Sequence, residues 1–130
     1  MQPRFLNPPT IPTPRGYTQV VEVTGGRTYY ISGQIALNAE GKMVGEGDFR
    51  AQAVQVFENI KAALESVGGD FSHVVKIGIF VLDVANLPTL REVRDQYVNT
   101  AQPPASTAVQ VASLFQSGFL LEIEAVAVIP

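Results

Sequence analysis

The sequence predicts an α+β fold in which one mixed sheet carries two helices on a single face. Three observations lead there. Runs of β-rich and helix-periodic sequence follow one another in the order ββαβαββ, glycine and proline clusters separate them, and the final run is almost wholly apolar. A sheet covered by helices on one side must hide its other side elsewhere, and here that other side is not polar enough for water. Self-association is therefore expected. The 130 residues are read as one domain, 1–130, near the commonest domain size.

Each element has its own signal. Five of the nine prolines fall in the first fourteen residues, so 1–16 reads as an extended, proline-rich lead-in that cannot be helical. "TQVVEV" and "RTYYISG" are β-rich and flank Gly25-Gly26, a hairpin signal. After a polar, glycine-studded loop, Asp48 is placed to cap a helix. In that helix Phe49, Ala53, Val56, Phe57, Ile60, Leu64 and Val67 recur at helical spacing, and Gly68-Gly69 stops it. "HVVKIGIFVLD" is a strand apolar enough to be buried on both faces. Asn86 is expected to cap the second helix, with Pro88 in its first turn and Leu87, Leu90, Val93, Tyr97 and Val98 as its buried stripe. Strands near Ser106–Ala112 and Phe119–Ile129 complete the order.

Composition excludes several functions. A formal net charge of −3 argues against a nucleic-acid partner, which normally calls for a basic stripe. No run approaches the roughly 20 apolar residues of a membrane span, so no membrane is expected. The first residues lack the apolar segment of a secretory signal, which makes the cytoplasm the expected compartment. With no cysteine and one histidine, neither a thiolate nor a histidine-rich metal site can be built. His73 stands alone at a strand start, where a solvent-facing role outweighs a triad role.

What remains is carboxylate and neutral hydrogen-bond chemistry. In the last strand Leu120, Glu122, Glu124, Val126 and Val128 share one face, and Leu121, Ile123, Ala125 and Ala127 the other. Two glutamates on an otherwise apolar face either reach solvent or sit at the edge of a pocket, where a carboxylate can serve as acid or base or hold a water. A second oddity precedes them: no charged residue occurs from Gln96 to Leu121. Such a run is either plain core or the lining of something that must stay neutral.

Several stretches, taken together and in order, resemble the Rid family of YjgF-like reactive-intermediate deaminases. They are "GYTQVVEV", "YYISGQIALNAEGKMV", "NIKAALESVGGDFSHVVKIGIFVLDV", "REVRDQYV", "PPASTAVQVASL" and "LEIEAVAV", spanning about Tyr17 to Val128. The resemblance implies a chorismate-mutase-like fold and a homotrimer, with the three sheets facing inward as a barrel and three clefts between subunits. The uncharged run would then be barrel and cleft wall. It also implies hydrolysis of enamines and imines to 2-oxo acids and ammonia, with no metal or organic cofactor. By position, Tyr17 matches the cleft tyrosine, Ser32-Gly33-Gln34 the strand-end motif lining the pocket, and Glu122 the carboxylate that positions the attacking water.

One position departs from the pattern. Where deaminases of this family carry an arginine that clamps the substrate carboxylate, this chain has Ser106. A charge-assisted hydrogen bond contributes roughly 1.5–3 kcal/mol, so the usual 2-imino acids are not the expected substrates. Ser106 and Thr107 read equally as small space-filling β residues and as a neutral hydrogen-bonding pair. Arg15, two residues before Tyr17, is the best substitute cation, against a plain reading as a solvated arginine. Arg91 and Arg94 are assigned to packing and ion pairs. The expected function is that of a trimer with intersubunit clefts for a small molecule, hydrolysing an imine, enamine or related C–N bond through Glu122. The alternative is a non-catalytic trimeric ligand-binding module.

Overall fold

A computed structural model describes residues 3–130, so positions 1 and 2 of the expected lead-in lie outside the described residues. The chain contains strands β1 (Arg4–Leu6), β2 (Val20–Glu22) and β3 (Arg27–Gln34), helix α1 (Phe49–Ser66), strand β4 (Val74–Val81), helix α2 (Leu87–Arg94), and strands β5 (Ala105–Gln110) and β6 (Leu121–Ile129). The main sheet runs β3-β6-β4-β5. Only the β4–β5 pair is parallel, so the sheet is mixed as expected.

Helix α1 forms where its spacing predicts. Asp48 caps it by accepting from the Ala51 N–H at 3.1 Å. At its end Gly68 takes a φ of +78°, which a side chain would resist, and the Gly69 N–H closes on the Leu64 carbonyl at 2.9 Å. Val56, Phe57, Ile60 and Leu64 are fully buried against Leu121, Ile123, Ala125 and Ala127 of β6. Each large side chain so buried contributes roughly 1.5–3 kcal/mol. β6 thus obeys the alternation read from the sequence, with the face bearing Glu122 and Glu124 turned away from the helices.

Several details differ from expectation. Gly25-Gly26 does not close a hairpin onto β3. β2 pairs instead with β1, a strand inside the lead-in, and the Arg4–Glu22 ion pair at 2.8 Å joins them. A β-rich run declares that it wants a partner, not which one, and β3 is taken by β6 from Arg27 opposite Ile129 onward. β4 is buried on one face only. Val74, Ile77, Ile79 and Val81 are covered by the helices, while Phe80 is half-buried and Lys76 exposed.

At the second helix, Asn86 makes no side-chain cap. Asp83 instead accepts from the Ala85 N–H at 2.9 Å, closing a 3₁₀ turn that leads into α2. The helix stops at Arg94, so Tyr97 and Val98 pack from the turn beyond it, Tyr97 stacked on Phe57 at 5.1 Å. His73 sits at the strand start with its side chain partly exposed. Its Nδ1 accepts from the Asp70 N–H at 3.0 Å and closes a short 3₁₀ turn.

The uncharged run is not core of the single chain. Most of β5 is exposed, and Phe115 in the following loop is 82% exposed. The sheet face away from the helices carries Tyr30, Phe80, Val109 and Val126, an apolar surface of the kind that marks an association site.

Candidate functional site

The residues singled out by sequence gather into two groups on opposite sides of the main sheet. The first lies on the open face. β3 and β6 pair regularly to Ile31 opposite Ala125, then resume at Gln34 opposite Ile123, so β3 carries an extra residue at Ser32-Gly33. Such a bulge interrupts the ladder and re-aims the local chain. It brings the Gly33 Cα against the Glu122 carboxyl group, and a Cβ built at position 33 would lie 2.7 Å from Glu122 Cδ. Glycine is therefore required for the carboxylate to rest where it does. Gln34 folds back, its Nε2 donating to the Ser32 carbonyl at 3.0 Å. Glu122 is half-buried and faces the flank of Phe80, its register partner on β4.

The second group lies at the α2 side of β5. Arg15 of the lead-in and Tyr17 just after it, Arg91 and Arg94 of α2, and Ser106 and Ala108 of β5 line a cavity of about 140 Å³. Thr18, which sequence reasoning passed over, anchors this arrangement. It is 2% exposed, donates from Oγ1 to the Pro103 carbonyl at 2.5 Å, and donates its N–H to Pro104 at 3.2 Å. The lead-in is thereby pinned beside the start of β5, which sets Tyr17 near Ser106. An uncharged residue just after a proline-rich lead-in carries no local signal of such a role.

Ser106 and Thr107 do not act as a pair. Adjacent strand residues point to opposite faces, and Thr107 lies on the open face, where Lys76 Nζ donates to its Oγ1 at 3.1 Å. There it joins Glu124, packed over Gly78, along a groove of about 210 Å³. Glu124 is exposed. Arg94 takes the packing and ion-pair role expected of it, buried and bound to Asp95, whereas Arg91 forms no ion pair among the described residues; both border the Ser106 cavity. Among the described residues no three His, Asp or Glu side chains gather where they could hold a metal ion. No helix is long and apolar enough to cross a membrane.

The family model described as Endoribonuclease L-PSP matches residues 10–129. The chain belongs to the Rid family.

Two curated relatives and one solved structure place it there independently. Protein DfrA of Myxococcus xanthus is 43% identical over 112 residues, which cover 86% of this chain and 84% of that protein. A 2-iminobutanoate/2-iminopropanoate deaminase of Dermatophagoides farinae is 37% identical over 97% of this chain and 96% of its own length. The Rid-family protein YyfB of Yersinia pestis superposes with a TM-score of 0.91 at 35% identity, covering 99% of this chain and 100% of that one. The α+β architecture of the Rid structures is thus the architecture of this chain.

Proposed function

We propose that the protein works as a homotrimer whose intersubunit clefts bind a small molecule and hydrolyse its imine or enamine through a water held by Glu122. The observation that carries this reading is the division of the site. Glu122 with Gly33 and the Arg15–Tyr17–Ser106 cavity lie on opposite sides of one sheet, so a cleft using both needs a second copy. The apolar open face supplies a surface for that contact. A relative of near-full coverage named for imine deamination supports the chemistry.

In the reaction the Glu122 carboxylate accepts a hydrogen bond from the water and draws proton density from it. The water oxygen bonds to the imine carbon while the C=N pair moves to nitrogen, which takes a proton. The carbinolamine hydroxyl then gives up its proton and the nitrogen takes one, and the C–N bond breaks as C=O forms, releasing ammonia. An enamine first takes a proton on carbon and gives one up from nitrogen to become the imine. No metal or organic cofactor enters these steps. Because Ser106 stands at the strand position, the substrate is read as one other than the usual 2-imino acids. Free imines hydrolyse where they form, which goes with a cytoplasmic setting.

The test is Glu122→Gln, with 2-aminoacrylate and 2-iminobutanoate generated in situ as reporter imines and Ser106→Arg run alongside. We expect the native protein to be slow, Ser106→Arg to be faster, and Glu122→Gln in that background to lose turnover while light scattering still gives a trimer. Unchanged turnover in Glu122→Gln would remove the carboxylate from the mechanism. A monomer at micromolar concentration would remove the shared cleft. Inactivity of every variant would favour the non-catalytic binding module, for which the replaced arginine already speaks.

A further inference from the structure

The Ser106 cavity is cationic in a protein that is acidic overall. Its rim holds three guanidinium groups, from Arg15, Arg91 and Arg94, and no carboxylate. The acidic residues nearest in sequence are committed elsewhere. Glu92, beside Arg91, pairs with Arg50 on α1. Asp95 receives both Nε and Nη2 of Arg94, at 3.0 and 2.9 Å. Among the described residues neither Arg15 nor Arg91 forms an ion pair.

The three arginines divide the work. Arg94 is 7% exposed and locked by Asp95, so it is part of the wall. The lead-in crosses directly over it at Gly16, which has a φ of +78° and where a Cβ would come 2.8 Å from Arg94 Nη2. That close crossing is what delivers Arg15 and Tyr17 to the cavity. Arg15 and Arg91 are exposed, long and unpaired, and they border one small concavity with their like charges unneutralised. Two such groups within a Debye length repel, and an anion between them relieves the repulsion. Guanidinium forks match a carboxylate bidentately.

We infer that Arg91, with Arg15, forms a carboxylate subsite facing Ser106, so that the ligand of this cleft is an anion held from helix α2 rather than from strand β5. This rests on reading the cleft as a small-molecule site. It narrows the substrate to a molecule whose carboxylate reaches α2, and it makes Arg91 a specificity-determining residue and Gly16 and Arg94 its positioning residues.

The experiment is calorimetric titration of the native protein with 2-oxobutanoate, with 4-oxopentanoate, whose carboxylate lies farther from its carbonyl, and with the neutral ketone 2-butanone. We expect at least one acid to bind tighter than butanone. Arg91→Gln and Arg15→Gln, both at exposed positions, should then weaken that acid roughly 10- to 100-fold and leave butanone unchanged. Equal affinity for the acids and butanone would overturn the inference, as would unchanged acid binding in Arg91→Gln. Tighter binding of inorganic phosphate than of either acid would overturn the carboxylate assignment. Failure of the catalytic reading gives a different pattern. If Arg91-dependent acid binding persists while no imine is turned over, the subsite stands and only the chemistry falls.

Discussion

Gly33→Ala tests whether the resting place of the Glu122 carboxylate matters. A Cβ at this position lies 2.7 Å from Glu122 Cδ and 3.0 Å from Cγ. Carbon atoms prefer about 3.5–4.0 Å, so the carboxyl group must retreat by about 1 Å. Misplacing a catalytic group by that much costs on the order of 100-fold in rate. Folding should hardly notice. The obstructed atoms belong to a rotatable, half-buried side chain that can swing aside, and removing a glycine from the unfolded chain contributes roughly 0.4–1 kcal/mol in compensation. The assay pairs kcat/KM for imine hydrolysis, in the Ser106→Arg background if that is needed for signal, with a urea midpoint. The expected outcome is a loss of about 100-fold with unfolding free energy within about 1 kcal/mol of the parent. The same substitution made on top of Glu122→Gln should add little, because the two act through one group. Unchanged kcat/KM, or a second full loss in that double variant, would refute the reasoning.

Two further predictions concern the scaffold. Gln52 is fully buried and makes three hydrogen bonds, from Nε2 to the Gly45 and Gly118 carbonyls at 3.1 and 2.9 Å and from the Leu120 N–H to Oε1 at 2.9 Å, tying α1 to the entry of β6. Gln52→Ala leaves those backbone groups without partners and should lower stability by about 2–4 kcal/mol in a denaturant titration; a loss under about 1 kcal/mol would mean that water replaces the side chain. Burial and the neighbouring Glu58, whose carboxylate accepts from the Tyr97 hydroxyl at 2.8 Å, push the Tyr97 phenol up to about 12. Since the folded value lies above the unfolded one, near 10, this contribution is whole below pH 10 and is lost as the pH rises towards 12. Tyr97→Phe should flatten the alkaline side of a melting-temperature profile between those limits, and an unaltered slope would remove Tyr97 as its source.

Much of this protein is legible without its structure because much of it is local. Asp48, the apolar spacing to Leu64 and Gly68-Gly69 define α1 within a single helix. The period-two alternation of β6 separates Glu122 and Glu124 from the buried residues, since a strand cannot do otherwise. The run of short motifs from Tyr17 to Val128 identifies the family. Chain folding over longer distances decided the rest. That β2 pairs with a strand in the lead-in depends on which edges were already occupied, and no hydrophobic pattern encodes that choice. The bulge at Ser32-Gly33 exists only as a mismatch between two strands far apart in sequence. Arg91 reads as an ordinary exposed helix residue until Thr18 pins the lead-in to Pro103 and Pro104, which carries Arg15 to the cavity where Arg91 and Ser106 already meet. Periodicity fixes which face a side chain takes. Only the meeting of distant segments fixes what that face opposes, and the charge of the Ser106 cavity is a property of that meeting.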